Sequence, residues 1–176
     1  MTQRTVTVIE AQQLAKQERG KRWGARRRAE RETKAARRER FRVSTKPVAL
    51  RLPFPPSLNH YYRLTVVGKH AQTYISAAGK AYRAEVIEIW RRVGVTFNGR
   101  LAIKVVAVFP DRREHDLDGL WKALLDSLEH AAAYENDSQI KAESMEQEAV
   151  EAPGWVDIVL GPKPGERQGT LFEMEF

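Results

Sequence analysis

A chain of 176 residues with no cysteine and a net charge of +7 is long enough for one full core plus an appendage. It excludes disulfides, thiolate metal sites and cysteine nucleophiles. No apolar run approaches the roughly 20 residues of a membrane span, and the N-terminus has no apolar stretch of secretory type, so a soluble cytoplasmic protein is expected.

The charge is uneven. Residues 1–46 hold 15 Lys/Arg against 5 Asp/Glu, and the rest hold 15 against 18. The basic excess therefore lies in the N-terminal quarter, and a polyanion partner is the natural inference. A solvated basic helix without a partner has the same composition. After Val6-Thr-Val-Ile9 this segment is rich in good helix formers, and its main apolar residues, Leu14, Trp23 and Phe41, are too sparse to anchor a core. Lys21 to Arg42 reads as a basic helix, or as a disordered arm that becomes helical on a partner. Lys46-Pro47 marks a boundary.

Val48 to Leu52 reads as a short strand, ended by Pro53-Phe-Pro-Pro56. Ser57 to Arg63 is a polar, aromatic loop. Val66-Val-Gly-Lys-His70 predicts a hairpin tip with Gly68 in the turn, and Gln72 to Ile75 returns as a strand. Ser76 is a good N-cap for a helix over Ala77 to Val93, in which Tyr82, Val86, Ile89 and Trp90 follow helical spacing. Asn98-Gly99 signals a turn. Leu101 to Phe109 is the clearest strand, stopped by Pro110. A charged loop follows, and then a helix whose Leu117, Leu120, Trp121, Leu124, Leu125 and Leu128 form one apolar face. Ser138 to Val150 and Trp155 to Leu160 read as strands, with Pro153-Gly154 between them. After Gly161 the chain turns polar and rich in Pro and Gly, a linker to a tail. This order predicts a two-layer α/β domain, a small mixed sheet with helices packed on one face. An exposed sheet or helix face would invite dimerisation. The domain limits expected are 1–46, 47–161 and 162–176.

The chemistry-bearing residues gather around the charged loop. Asp116 and Asp118 sit at the loop-to-helix joint, Lys122 follows Asp118 by one turn, and Asp137 lies in the polar loop Tyr134-Glu-Asn-Asp-Ser138. Carboxylates at the ends of separate elements suit one hard cation such as Mg²⁺, which takes oxygen ligands and keeps waters. In phosphodiester hydrolysis such a cation polarises the phosphate and activates water, while a nearby ammonium steadies developing charge. Two acids at a helix start are equally an N-cap and a favourable first-turn residue. Asp126 and Asp157 are rival acids; Asp126, two turns past Asp118, reads as a solvated helix residue. A second cluster, Asn59, Tyr61, Tyr62, Arg63, Lys69 and His70, interleaves aromatic, amide and basic groups as a backbone-gripping DNA contact needs. An ordinary hairpin with tyrosines packed inward has the same pattern, and one of the adjacent Tyr61 and Tyr62 is expected to do so. Arg112, Arg113 and His115, beside the acids, are further candidates for DNA contact.

In order and spacing, four motifs together resemble the RusA-type Holliday junction resolvases: Pro55-Pro-Ser-Leu-Asn-His-Tyr-Tyr-Arg63, Tyr74 to Arg83, Pro110-Asp-Arg-Arg with Asp116-Leu-Asp118 and Lys122, and Asn136-Asp137-Ser-Gln-Ile140. The resemblance covers about residues 47–161. It implies a RusA-like fold and a homodimer that binds four-way DNA junctions. It also implies symmetric nicking of two strands with Mg²⁺ or Mn²⁺. Asp116, Asp118 and Asp137 would then be the metal-binding acids and Lys122 the catalytic lysine, with Asn59 and the basic hairpin residues on DNA. Two departures stand out: Gly119 where the family usually has Asn, and His115 where a basic residue often precedes the first Asp. Such genes are common in phages and prophages.

Neither end of the chain is explained by that resemblance. The basic arm is expected to grip DNA flanking the junction. Gln168-Gly-Thr-Leu-Phe172 looks like the short bacterial sliding-clamp motif, through Gln168, Leu171 and Phe172, although a last edge strand or dimer contact would use the same apolar pair. Two alternatives to junction resolution remain open. One is a nuclease of this fold acting on other branched DNA near a replication or packaging machine. The other is a non-catalytic DNA-binding recombination accessory protein, which only Gly119 favours.

Overall fold

The computed structural model describes residues 8–67, 70–113 and 116–165. The chain divides into two compact units, residues 1–36 and 37–176.

The first unit is most of one helix, α1 (Val8–Arg40). Its Ala, Arg, Lys, Gln and Glu content explains the helix. Lys16 to Arg22 are exposed.

In the second unit, the last turn of α1 is held by its basic residues. Arg37 donates to the carbonyl of His130 at 2.6 Å, and Arg38 pairs with Glu135 at 2.8 Å and also reaches Asn98. Next, β1 (Arg42–Val43) pairs in parallel with β5 (Val95–Thr96). The compositional break at Lys46-Pro47 and the break between compact units therefore do not coincide, because this short basic stretch is bonded to the second unit.

The main sheet has four strands: β2 (Val48–Pro53), β6 (Leu101–Phe109), β7 (Ile140–Val150) and β8 (Trp155–Pro162), in the order β2-β8-β6-β7. Strand β8 runs antiparallel to both β2 and β6, whereas β6 and β7 are parallel. A parallel pair needs a crossover, and here α4 (Asp118–His130) supplies it. Alternate residues of β6 (Leu101, Ile103, Val105, Ala107, Phe109) join one core with Val156, Ile158 and Leu160 of β8. Helix α4 adds Leu120, Leu124 and Leu128, and α3 (Ala77–Val93) adds Tyr82, Val86 and Trp90. The mixed sheet with helices on one face is the expected fold class. Helix α3 begins and ends as its residues dictate. The Ser76 side chain accepts the Gly79 N–H at 2.9 Å, and Gly94 ends α3 at φ 68°, the left-handed conformation that glycine adopts without strain.

The hairpin is a separate two-stranded sheet, β3 (Tyr62–Val67) and β4 (His70–Ile75). It begins earlier than the polar sequence of residues 57–63 predicts. A single helical turn, α2 (Leu58–Tyr61), buries Tyr61 completely. The Tyr61 carbonyl then accepts the Ser76 N–H at 2.9 Å, so the ladder opens at the Tyr62–Ile75 pair. The hairpin leaves Leu64 and Val66 about 70% exposed.

Gly79 sits where α3 meets this turn. A Cβ there would lie 2.7 Å from the Tyr61 carbonyl oxygen and 2.8 Å from Ile75 Cγ2. Gly79→Ala is expected to cost about 2 kcal/mol, as overpacking does, and to lower the thermal midpoint by roughly 4–8 °C. An unchanged melting curve would show that the turn gives way freely.

No helix among the described residues is long and apolar enough to cross a membrane.

Candidate active site

Pro110 lacks the N–H that would continue a ladder, so β6 gives way to the charged loop there. Within it the Asp111 carboxylate accepts the Arg113 N–H at 2.9 Å. Asp116 Oδ1 accepts the Asp118 N–H at 3.1 Å, a local side-chain turn that fixes the start of α4. Asp116 thus does the capping work open to an acid at this point, and its other oxygen remains outside that bond. The Asp118 carboxylate is exposed and has no protein partner among the described residues, at the positive end of the helix.

Gly119 follows. A Cβ there would meet Leu58 N at 3.9 Å and an Asp116 carboxylate oxygen at 4.0 Å, ordinary contacts. Gly119→Ala is therefore expected to stabilise the chain by about 0.5 kcal/mol through the unfolded state. Thermal melting would register this as a rise of roughly 1–2 °C; a fall would mean that the glycine is needed for its backbone.

One turn on, Lys122 reaches two acids. Its Nζ lies 2.7 Å from Asp126 Oδ1 and 3.7 Å from Asp137 Oδ2. The hydrogen bond that Lys122 donates to Asp126 raises the Lys122 pKa, partial burial opposes it, and the charge of Asp137 adds to the rise. Asp126 is not the solvated helix residue that its sequence position suggests: its side chain is only 13% exposed. Its second oxygen accepts the hydroxyl of Tyr62, at 2.5 Å. Burial, and then this bond to a carboxylate, push the Tyr62 phenol well above its ordinary value.

Asp137 is held by a well-bonded turn, a single 3₁₀ turn (Asp137–Gln139). The Asn136 side chain accepts the Ser138 N–H, and the Gln139 side-chain oxygen accepts the N–H groups of Glu135 and Asn136. Asp137 itself donates its N–H to Glu129 at 3.2 Å.

The structure thus brings Lys122, Asp126 and Asp137 together and places Asp116 and Asp118 at the head of the same helix. It does not gather three acidic or histidine side chains into one preformed cluster among the described residues. A cleft of about 870 Å³ opens beside Asp116 and Asp118, walled by Pro53 to Pro56, Asn59 and Tyr82. Asn59, Arg63, His70, Arg112 and Arg113 are exposed, Arg113 lying 3.8 Å from Asp111. Tyr61 packs inward, its hydroxyl taking Arg83 at 2.8 Å. Tyr62 is half buried and committed to Asp126. Asp157 is paired through two bonds with Arg51, at 2.8 Å each. Lys69, His115, Gln168, Leu171 and Phe172 lie outside the described residues.

Sequence reasoning missed the role of Asp126. Its spacing of four from Lys122 was a usable signal for the ion pair. The Tyr62 bond, between residues 64 apart in the chain, had no local signal.

A family profile described as "Endodeoxyribonuclease RusA" matches residues 53–158. The chain is similar to a protein of Enterobacteria phage HK97 named crossover junction endodeoxyribonuclease rusA. The two are 47% identical over 90 residues, which is 50% of this chain and 72% of that one. Its namesake in Shigella sonnei is 37% identical over 94 residues, and that of Escherichia coli K12 is 36% identical over the same length. Each of these matches covers 52% of this chain and 75% of the relative. The matched span, which begins at the last residue of β2, holds the hairpin, both packed helices, β6, β7 and every acid of the cleft, and over it the chain belongs to the RusA family of endodeoxyribonucleases.

Proposed function

We propose that this protein is a Mg²⁺-dependent endodeoxyribonuclease that resolves four-way DNA junctions by paired nicks. The observation that carries the reading is the row of charged groups along one side of α4, beside an open cleft, in a chain whose relatives are named for cutting crossover junctions. Asp116 and Asp118 would hold the cation, with Asp137 as third acid. Their donor set fits: hard oxygens, exposed, with no cationic partner on Asp118 among the described residues. Mg²⁺ is commonly held by one or two carboxylates plus waters and substrate phosphates, so a preformed cage is not required. When bound, the ion supplies Lewis-acid polarisation of the phosphate and activation of the attacking water. Mn²⁺ has the same hard-oxygen preference.

The chain's own residues do the rest. Lys122 offers an ammonium, poised by its acids, to the charge that builds on the scissile phosphate. Asn59, Arg63, His70, Arg112 and Arg113 grip the backbone around the cleft and set the register of the DNA. Lys69 and His115 would add to that grip. Two symmetric nicks need two sites, and each chain has one, so a homodimer is part of this reading. The basic α1 adds sequence-independent affinity. Gln168, Leu171 and Phe172 would dock on a bacterial sliding clamp; loss of clamp capture when residues 166–176 are removed, with an unchanged melting curve, would support that.

The test is cleavage of a labelled mobile four-way junction, beside matched duplex and fork, with Mg²⁺, Mn²⁺ or EDTA. Paired nicks confined to the junction and abolished by EDTA are expected. Equal cutting of forks would make it a general branched-DNA nuclease. Binding without cutting in either metal would leave an accessory DNA-binding protein.

A further inference from the structure

We propose that Asp126 and Tyr62 form a positioning pair that holds the Lys122 ammonium in register with the cleft and ties it to the root of the hairpin. The inference rests on the nuclease reading above.

Lys122 is half exposed, with its side chain 49% accessible. A lysine is a point charge on a flexible four-carbon stem, so an unheld one samples many rotamers. Here it is held. Asp126 lies one turn further along the same helix, mostly buried, and its two oxygens are used in different directions. Oδ1 faces Lys122 Nζ at 2.7 Å, and Oδ2 accepts the Tyr62 hydroxyl. The tyrosine therefore fixes the carboxylate, and the carboxylate fixes the ammonium.

Asp137 does not make this arrangement redundant. Its contact with Lys122 is longer, at 3.7 Å, and in the proposed chemistry Asp137 is committed to the cation. Asp126 is not among the cation's acids, so it remains the partner of Lys122 whether or not the cation is present. Tyr62 is equally well placed. It is the first residue of β3, opposite Ile75, and its ring meets Tyr61 edge-on at 4.9 Å between centroids. Tyr61 is fully buried, so the hydroxyl that orients Asp126 is mounted on the core. The next residue is the exposed Arg63, one of the groups proposed to grip DNA. The hairpin root and the catalytic lysine are thus joined by two consecutive hydrogen-bonded contacts.

A purely structural staple between hairpin and helix would show the same bonds, and a double-mutant cycle separates the two roles. Single-turnover cleavage of a labelled four-way junction in Mg²⁺ is compared for full-length wild type, Asp126→Ala, Tyr62→Phe, Lys122→Ala and the pairs with Lys122→Ala. Misplacing a catalytic group by about 1 Å can cost 10²-fold, so freeing Lys122 is expected to slow cleavage by about 10–30-fold in Asp126→Ala. Tyr62→Phe, which leaves Asp126 in place but unsteered, is expected to slow it by about 3–5-fold. Junction affinity measured in EDTA stays within about twofold. In the Lys122→Ala background neither substitution slows cleavage further by more than about twofold, because the group they position is gone. Full additivity, or wild-type rates in Asp126→Ala, would overturn the proposal. Tyr62→Phe removes a single oxygen and carries the test should Asp126→Ala fold poorly.

A second readout needs no cleavage. Competitive acetylation of Lys122, followed by mass spectrometry, is expected to rise at least about threefold in Asp126→Ala as the amine loses its partner. Unchanged labelling would also overturn the proposal. Increased labelling in a protein whose wild type cuts no junction would leave the pair in place and sink the nuclease reading instead.

Discussion

Asp118→Asn is expected to cut junction cleavage by about 10³-fold, since losing a ligand to a catalytic dication removes several kcal/mol of charge stabilisation and each 1.36 kcal/mol is a decade. The substitution is nearly isosteric at an exposed side chain with no protein partner among the described residues. Folding should therefore barely change, apart from about 0.3–1 kcal/mol of lost interaction with the positive end of α4. Junction affinity in EDTA is expected to hold or to tighten slightly, because one negative charge has left a surface that meets phosphates. Gel-based single-turnover rates and a binding titration check both halves. A variant cutting within about tenfold of the wild type would remove Asp118 from the proposed ligand set.

Neutralising the N-terminal helix is expected to change the salt dependence of DNA binding more than any substitution near the cleft. Lys21, Arg22, Arg28 and Arg31 are exposed on α1, and glutamine keeps helix propensity while removing charge. If the four contact phosphates, their replacement makes the slope of log affinity against log salt shallower by about 3–4. Between roughly 50 and 200 mM salt the wild type would then lose about 10²-fold more affinity than the variant. Titrations of a labelled junction at four salt concentrations measure it, and equal slopes would assign the helix some other task. Substitution is a cleaner probe than truncation at Lys46. Truncation would also remove Arg37 and Arg38, whose bonds to His130, Glu135 and Asn98 belong to the nuclease unit.

The elements that were legible in the sequence are those whose pattern is local. The β-branched run of β6, the leucine spacing of α4 and the serine cap of α3 each state their element within a dozen residues, and each is in place. The early start of β3 was hidden, because Ser57 to Arg63 is polar on average and its structure hangs on one buried ring, Tyr61. The site divides in the same way. Asp116, Asp118 and Lys122 are visible because they lie within two helical turns. Asp126 was misjudged because exposure on a helix depends on what packs beside it, and the tyrosine that covers it arrives from a distant strand. Asp137 was legible as a loop acid, but its contact with Lys122 depends on the crossover that returns the chain to the start of β7.

Register pairing of Val48 with Leu160 has a consequence for the domain as a unit of exchange. The polypeptide enters and leaves the four-stranded sheet at neighbouring points on adjacent strands. Leu160 lies opposite Ile103 of β6, whereas the loop to Asp116 and Asp118 departs beyond Phe109 at the other end of that strand. Extra sequence can therefore be grafted at the entry, the exit or both without threading past the two acids at the head of α4.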